Sequence, residues 1–220
     1  MDWMILPNGL EYHLSGPAAQ IEASRPVDAH MVAHQLAMLN RFHGATTRPY
    51  SVAEHSLLCS EIARRAGAGH ALQMAMLWHD AHESVTNDVS SPAKRAVNAY
   101  SVQAGGTHAW TFFENHHAKR FRAAIGALTV FTAERQRIRL IDLMALATER
   151  RDLTAWREGV HASWAVLLDD EADDMRIKPV DIDLNEPGRA AMTWQDWRQA
   201  FIDRFDELTE AIRNHGMGYA

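Results

Sequence analysis

The chain has 220 residues, of which 47% are hydrophobic and 23% are charged, and this balance suits one compact domain over residues 1–220. The formal charge of −6 argues against a broad surface for nucleic acid polymers, although it leaves room for a small basic pocket that binds an anionic ligand. The single cysteine, Cys59, excludes an internal disulfide framework. There is neither a signal-like N-terminal run nor an apolar stretch of membrane-spanning length, so we expect a cytoplasmic protein with no membrane partner.

The N-terminal residues predict a small β-hairpin. Residues 3–6 and 10–14 form two short runs, and the Pro-Asn-Gly sequence at residues 7–9 is a turn between them. Apolar residues near helical spacing then predict a helix over residues 27–39. A polar loop that contains Gly and Pro follows at residues 40–50, and binding residues often lie on such loops.

Ser51 and Glu54 have the spacing of a capping box, in which the Ser hydroxyl accepts a helix-terminal N–H and the Glu side chain reaches back. This predicts a helix that carries His55 in its first turns and continues to about Gly67. Good helix formers with few polar residues then predict a second, mostly buried helix over residues 71–78. Because a short connection makes the two helices antiparallel neighbours, His55 should lie near the end of the second helix.

His79 and Asp80 directly follow this second helix. A His nitrogen and an Asp oxygen can bind one divalent cation there, and the ion compensates the cost of burying the carboxylate. A His-Asp pair alone is a weak signal, because such dipeptides arise often by chance. Asp142 strengthens it, since this carboxylate lies beside an apolar stripe of a predicted helix, where it is costly without a partner. Asp142 is therefore either a surface residue or a further ligand.

The rest of the chain also predicts helices. We expect one over residues 109–127, the longest one over residues 132–153, and a last amphipathic helix over residues 193–212. An acidic run at residues 169–174 is interpreted as solvated, and Cys59 as a core residue. The predicted fold class is an all-α helical bundle with a small N-terminal β-hairpin.

The order of a His, a His-Asp pair and a distant Asp on a mostly helical chain resembles the HD-domain phosphohydrolases, which hold a divalent metal with these residues. The resemblance covers roughly residues 28–155 and implies an HD-domain bundle with a C-terminal helical extension at 156–220. The runs that carry it are Arg41-Phe42, Tyr-Ser-Val-Ala-Glu-His-Ser at 50–56, His-Asp-Ala-His-Glu at 79–83, Asn87-Asp88, Pro-Ala-Lys at 92–94 and Asp-Leu-Met-Ala-Leu-Ala-Thr-Glu at 142–149. These runs are similar to the branch of the YfbR-type deoxynucleoside 5′-monophosphatases, and within it to the phage dATP triphosphohydrolases of the DatZ type.

The resemblance implies a role for each matching residue. The metal ligands would be His55, His79, Asp80 and Asp142; the catalytic carboxylate Glu83, with Asp88 as a companion acid; and the substrate-binding residues Arg41, Phe42, Lys94 and Arg139. Among the last group, the three basic residues would bind phosphates and the aromatic ring would contact the base.

Two spacings agree with these roles. Glu83 follows Asp80 by three residues, and Arg139 precedes Asp142 by three, so each would face the site if its helix is regular.

Each role also has a structural alternative. The four ligands could form a buried polar network, and Glu83 could be one half of a helix-end charge pair. Asp88 could belong to an ordinary turn, and Arg139 could be solvated. His82 occupies a variable position of the signature and is interpreted as a surface residue. The entry loop has Gly-Ala-Thr at residues 44–46 where relatives often have Gly-His-Thr, which removes one polar contact.

The resemblance implies metal-dependent hydrolysis of a small-molecule deoxynucleotide. The substrate would be dATP or another dNTP, cleaved to the deoxynucleoside and triphosphate, or a deoxynucleoside 5′-monophosphate as for the YfbR type. Lys94 and Arg139 favour the triphosphate, because the charge of the β and γ phosphates requires basic partners. A non-catalytic nucleotide-binding module is the alternative of another class, and Glu83 argues against it because binding alone needs no proton-transfer group.

The cofactor is expected to be a divalent metal ion. Two His and two carboxylates suit cobalt, manganese, zinc, iron or nickel about equally, and magnesium is a further candidate. The resemblance also implies a homo-oligomer, a dimer or a hexamer, in the cytoplasm, or in the host cytoplasm if a phage encodes the chain.

Overall fold

In the computed structural model the chain is mostly helical, which confirms the predicted all-α class. Residues 2–22, 25–168 and 177–217 are described, so the acidic run at 169–174 lies outside the described residues. Two short strands, β1 (Trp3–Ile5) and β2 (Glu11–His13), precede the helices. The α-helices are α1 (Gly16–Glu22), α2 (Ala29–Met38), α3 (Val52–Arg65), α4 (His70–Trp78), α5 (Glu83–Thr86), α6 (Ser91–Gln103), α7 (Ala109–Ala124), α8 (Leu128–Ala133), α9 (Arg135–Leu153), α10 (Pro187–Ala190) and α11 (Trp194–Met217).

The predicted N-terminal hairpin is confirmed. Strands β1 and β2 pair antiparallel, with Met4 opposite Tyr12. The Gly9 N–H donates to the Leu6 carbonyl at 2.8 Å and closes the turn, where Gly9 has a φ of 81° that glycine adopts without strain. Tyr12 is buried, and its hydroxyl is hydrogen-bonded to Nδ1 of His117 at 2.9 Å. The hairpin therefore packs on α7.

Helices α3 and α4 form the antiparallel pair that their short connection predicts. His55 in the first turn of α3 contacts His79, the residue after α4, so the start of one helix meets the end of the other. All residues of α4 from Leu72 to Trp78 are buried, which confirms the prediction of a mostly buried helix.

Two apolar clusters enclose this helix pair. The first contains Trp78 of α4 and Phe201 of α11, and the indole Nε1 of Trp78 also donates to the carbonyl of Phe121 in α7 at 2.8 Å. The second contains Leu58 of α3 and Ile141 of α9. The C-terminal helix thus shares the core that positions the end of α4.

Three features differ from the sequence-based expectations. The segment 132–153 is divided at Glu134, whose φ of −101° and ψ of 17° separate α8 from α9. The longest helix among the described residues is instead α11, with 24 residues. Helix α6 was not predicted, because none of its residues is buried and no core-facing stripe marks it, although Pro92 in its first turn is typical of a helix start.

Within the described ranges, no helix combines the length and the apolar character needed to cross a membrane.

The substitution Phe201→Ala tests whether α11 belongs to the core around α4. Phe201 is 0% exposed, so the change leaves a cavity beside Trp78 and should lower the free energy of unfolding by about 3–5 kcal/mol. Urea denaturation followed by circular dichroism measures this loss. Phe112→Ala is the matched control, because Phe112 is 76% exposed, and should change the stability by less than about 0.5 kcal/mol. Equal stabilities of the two variants would contradict the packing described.

Candidate metal centre

Buried charges hold the start of α3, where His55 lies. The Ser51 hydroxyl accepts the Glu54 N–H at 3.1 Å, as the capping box predicts. The Glu54 carboxylate does not reach back, however, because it pairs with Arg48 at 2.7 and 2.8 Å and with Arg189 of α10 at 2.7 Å. Glu54 is fully buried, so these pairs fix the first turn of α3 against the preceding loop and the C-terminal segment.

His79 and Asp80 lie in a tight turn that follows α4. The imidazole Nδ1 of His79 is hydrogen-bonded to the Met76 carbonyl at 2.7 Å, and the Glu83 N–H donates to the Asp80 carbonyl at 2.9 Å. A hydrogen bond between residues three apart is characteristic of a turn tighter than an α-helix. The regular helix assumed for the spacing of Asp80 and Glu83 is therefore interrupted, and a new helix, α5, begins at Glu83.

Four donor atoms from three separate segments converge. The two imidazole Nε2 atoms of His55 and His79 are 3.2 Å apart. The Asp80 Oδ2 atom lies 3.5 and 3.2 Å from them, and the Asp142 Oδ1 atom of α9 lies 3.3 and 3.8 Å from them. Metal–ligand bonds of about 2.0–2.2 Å place neighbouring donors about 3.0–3.5 Å apart. Five of the six distances among the four predicted ligands thus lie between 3.2 and 3.8 Å, close to the spacing of donors around one divalent cation.

The hydrogen bonds of the two imidazoles define which nitrogen faces the centre. Nδ1 of His55 contacts the Glu149 carboxylate at 2.5 Å, and Nδ1 of His79 contacts the Met76 carbonyl at 2.7 Å. Both partners accept, so each Nδ1 carries a proton and each Nε2 atom faces the centre. The 3.2 Å between the two Nε2 atoms suits an N–H···N hydrogen bond when one ring is protonated, or a cation that both nitrogens bind when the rings are neutral. The arrangement is therefore compatible with a metal ion.

Cys59 borders the centre without taking a ligand position. It is fully buried, which confirms its interpretation as a core residue. His55, Cys59, His79 and Asp142 each offer a donor atom within 4.8 Å of the others. The Cys59 Sγ atom is 3.6 Å from Nε2 and 3.9 Å from Nδ1 of His55, so it lies over the ring and not along the Nε2 lone pair. We therefore take Asp80, and not Cys59, as the fourth donor.

The carboxylates around the two rings favour positive charge. Burial is the largest single effect on the pKa of His79 and lowers it, but Asp80, Cys59 and Asp142 together outweigh burial and raise the pKa well above its usual value. Burial likewise raises the pKa of Asp80, and His79 and His55 together outweigh it, so that the Asp80 pKa lies well below its usual range. A divalent cation between the rings satisfies the same preference. The Asp142 side chain is 42% exposed, which leaves the centre open to solvent on that side.

Glu149 orients His55, and the sequence analysis missed this role. Its side chain is fully buried, and its Oε1 atom accepts from the Tyr50 hydroxyl at 2.8 Å and from Nδ1 of His55 at 2.5 Å. A carboxylate behind a ligating histidine fixes the ring and increases its basicity. Its position could have indicated the role, because Glu149 follows Asp142 by seven residues, two turns of the same helix.

Arg41 lies inside the cluster and pairs with carboxylates. Its guanidinium is 3.6 Å from Asp80 Oδ2 and 3.4 Å from Glu149 Oε2, and its side chain is only 11% exposed. Arg41 begins a short 3-10 turn, Arg41–Gly44, in which Phe42 and His43 have φ values of 55° and 53°. Left-handed dihedrals at non-glycine residues cost about 1–3 kcal/mol each and are common at binding sites. The loop is thus held in a strained form next to the metal centre.

Glu83 is a buried carboxylate with a free oxygen. It is 3% exposed, and its Oε2 atom has no hydrogen-bond partner. Lys94 lies 3.8 Å from the other oxygen, Oε1, but forms its hydrogen bond with Glu114 of α7. Burial, followed by the charges of Asp80 and Asp88, raises the pKa of Glu83 well above its usual value. The arrangement suits a group that exchanges a proton with a bound molecule.

The interpretation of His82 as a surface residue is wrong. His82 is 5% exposed, and its Nε2 atom lies 3.6 Å from Glu114 Oε1. Helix α7 packs over the turn after α4 and buries this ring. Neither Glu114 nor its contact with His82 could be inferred from local sequence spacing, because His82 lies in the turn before α5 and Glu114 lies in α7.

The remaining predicted site residues differ in their placement. Asp88 is partly buried, and its charge acts on both Glu83 and Arg41. Phe42 is partly buried, and its ring centroid is 6.1 Å from that of Trp164. Arg139 is exposed on α9 and forms no side-chain hydrogen bond or ion pair with any described residue, so the structure does not bring it into the cluster.

The chain is similar to two uncharacterized proteins. No protein-family model matches it. The uncharacterized protein YfdR of Escherichia coli is 30% identical over 180 residues, which cover 81% of this chain and 83% of YfdR. An uncharacterized protein of Rhodobacter capsulatus is 42% identical over 96 residues, 41% of this chain and 49% of that protein. The second match therefore spans about half the length of that relative.

Removal of metal ligands should produce a graded series. His79→Ala or Asp80→Ala removes one of the four donors and should abolish metal retention. Glu149→Gln keeps the donors but weakens the acceptor that orients His55, so metal affinity should fall about 10- to 100-fold. Elemental analysis and titration against a chelator measure the two effects.

The control for this series is Glu134→Gln, because Glu134 pairs with Arg137 outside the centre. It should retain full metal affinity, and all variants should keep a helical circular dichroism spectrum. Full metal occupancy in His79→Ala and in Asp80→Ala would contradict the ligand assignment.

Proposed function

The chain belongs to the family of the uncharacterized protein YfdR, and from the geometry of its metal centre we propose that it is a metal-dependent phosphohydrolase of deoxynucleotides. The proposed reaction is hydrolysis of dATP or another deoxynucleoside triphosphate to the deoxynucleoside and tripolyphosphate. The observation that carries this proposal is the pair of imidazole Nε2 atoms 3.2 Å apart, flanked by two carboxylates and by the free Oε2 atom of Glu83. The resemblance to the HD-domain phosphohydrolases supports it.

His55, His79, Asp80 and Asp142 would hold the ion. A divalent cation at this position supplies positive charge for the phosphoryl oxygens and lowers the pKa of a water toward neutrality. Cobalt, manganese, zinc, iron, nickel and magnesium are the candidates.

Glu83 is the group proposed to transfer the proton. Water attacks the α-phosphorus, the bond between phosphorus and the 5′-oxygen breaks, and a proton must reach that oxygen. Glu83 Oε2 is buried and has no other hydrogen-bond partner, so it is available to take the proton from the water or deliver it to the departing oxygen. Asp88 would act as the companion acid through its charge on Glu83.

The basic residues divide into two roles. Arg41 neutralises Asp80 and Glu149, so its main duty is to hold the carboxylates of the centre, and phosphate contact is an additional one. Lys94 is proposed to bind phosphate directly, because its ammonium lies 3.8 Å from Glu83, the group proposed to transfer the proton, although it also pairs with Glu114. Phe42, next to Arg41 and held in a strained loop, would contact the base.

The same chemistry supports a second candidate, a deoxynucleoside 5′-monophosphatase. Cleavage of the bond to the 5′-oxygen releases orthophosphate from a monophosphate and tripolyphosphate from a triphosphate. Arg139 lies outside the cluster, so fewer basic groups are available for a longer phosphate chain, and this favours the 5′-monophosphatase. A nucleotide-binding module without turnover is the candidate of another class, and the free Glu83 oxygen argues against it.

A substrate panel distinguishes the three candidates. The metal-loaded protein is incubated with deoxynucleoside mono-, di- and triphosphates, and the products are resolved by chromatography. We expect dATP to give deoxyadenosine and tripolyphosphate. Turnover of monophosphates alone would support the 5′-monophosphatase, and formation of dAMP and pyrophosphate would show that the assigned bond is wrong. Binding without turnover of any nucleotide would support the binding module.

The substitution Glu83→Gln tests the proton-transfer role. The variant should keep metal and nucleotide affinity, because Glu83 contributes neither to the four donors nor to a phosphate contact. Its kcat should fall about 10²- to 10⁴-fold, the usual contribution of a positioned general acid or base. Glu61→Gln is the control, since Glu61 pairs with Arg64 and Arg65 away from the centre. Near-normal turnover of Glu83→Gln would transfer the role to another group, Asp88 first.

A further inference from the structure

Arg122 is an arginine in the last turn of α7 whose guanidinium is partly buried without an anionic partner. Its Nε atom is buried and has no hydrogen-bond partner. Among the described residues, its side chain forms no hydrogen bond and no ion pair. Its guanidinium carbon lies 4.5 Å from the centroid of the Phe131 ring, which covers one face. The two terminal nitrogens have no hydrogen-bond acceptor among the described residues, and they are not buried from solvent as Nε is.

Arg122 lies near the end of α4, because the carbonyl of its neighbour Phe121 accepts a hydrogen bond from the Trp78 indole at 2.8 Å, two residues before Asp80. Burial lowers the pKa of Arg122, and the carboxylates of Asp80 and Glu114 offset this effect only in part. Asp80 is one of the four converging donors, and Glu114 is the partner of Lys94. Arg122 therefore lies within electrostatic reach of both the metal position and the Lys94 pair.

Other buried cations of the site have direct partners. Arg41 pairs with Asp80 and Glu149, and Lys94 pairs with Glu114 and lies near Glu83. A desolvated charge without such a partner is costly.

The helix end and the aromatic ring explain only part of this position. A cation in the last turn of a helix interacts favourably with its dipole, and the face of Phe131 adds a cation–π contact. Neither contact uses the N–H donors. Arginine binds phosphate through these donors in a planar, bidentate geometry that lysine cannot reproduce.

We propose that Arg122 binds the outer phosphates of the substrate, together with Lys94. Lys94 of α6 pairs with Glu114 of α7 and lies 3.8 Å from Glu83, and Arg122 is in the same helix as Glu114, two turns further on. Arg41 pairs instead with Asp80 and Glu149. The chemical class of ligand is a polyphosphate chain, in a nucleoside triphosphate or in free tripolyphosphate. This inference rests on the proposed function, and it gives the longer substrate the basic partner that exposed Arg139 does not provide.

Binding of inorganic tripolyphosphate to the metal-loaded protein tests the proposal without turnover. Calorimetry compares the wild type with Arg122→Gln, which retains much of the stem on Phe131 and removes the charge. Tripolyphosphate affinity should fall about 10- to 100-fold, the effect of losing hydrogen bonds to a charged group. Orthophosphate affinity should change less than about threefold, because orthophosphate can bind at the metal position alone. Lys119→Ala on the same helix is the control, since Lys119 is exposed, and should leave both affinities unchanged.

A second variant separates phosphate binding from a structural role. Arg122→Lys keeps the positive charge but lacks the planar N–H donors of the guanidinium, so it should show an intermediate loss of tripolyphosphate affinity. This variant also provides the comparison with the wild type if Arg122→Gln fails to fold. Lower thermal stability with unchanged tripolyphosphate affinity would overturn the proposal, as would the absence of binding to the wild type. Tripolyphosphate binding that depends on Arg122, without hydrolysis of any nucleotide, would keep this inference and reject the proposed hydrolase. Hydrolysis of dATP with equal tripolyphosphate affinities would reject the Arg122 assignment and leave the hydrolase standing.

Discussion

The arrangement on which the site depends is the face-to-face placement of two imidazole nitrogens. Glu149 and the Met76 carbonyl accept from the Nδ1 atoms of His55 and His79, and so direct both Nε2 lone pairs to one point. The adjacent carboxylates make positive charge favourable at this point, whether a proton on one ring or a bound cation supplies it. Buried hydrogen bonds thus hold the two rings in a geometry that is compatible with a metal ion.

The scaffold brings these groups together from distant parts of the chain. The antiparallel pair α3–α4 supplies the two histidines, and α9 supplies Asp142 and Glu149 two turns apart. The C-terminal region also takes part, since Arg189 pairs with Glu54 at the start of α3 and Phe201 packs on Trp78 at the end of α4. Residues of the C-terminal region therefore contact the ends of both helices that position the histidines.

Much of the site geometry could be predicted from the sequence, and its packing partners could not. The short connection between two helices was enough to predict that His55 would lie beside His79, because helix direction follows from loop length. Contacts across non-adjacent helices carry no local signal, so the burial of His82 by α7 and the position of Arg122 were missed. Helix α6 was missed for a different reason: none of its residues is buried, and periodicity reports only core-facing stripes. Glu149 had a signal, its seven-residue spacing from Asp142, which was overlooked.

The four converging donors would share one divalent cation. Anomalous X-ray diffraction from a crystal of the manganese-loaded protein tests this most directly. We expect one strong peak within about 2.0–2.3 Å of Nε2 of His55, Nε2 of His79 and one oxygen each of Asp80 and Asp142. A peak at another position, or no peak between two Nε2 atoms that remain about 3.2 Å apart, would contradict it.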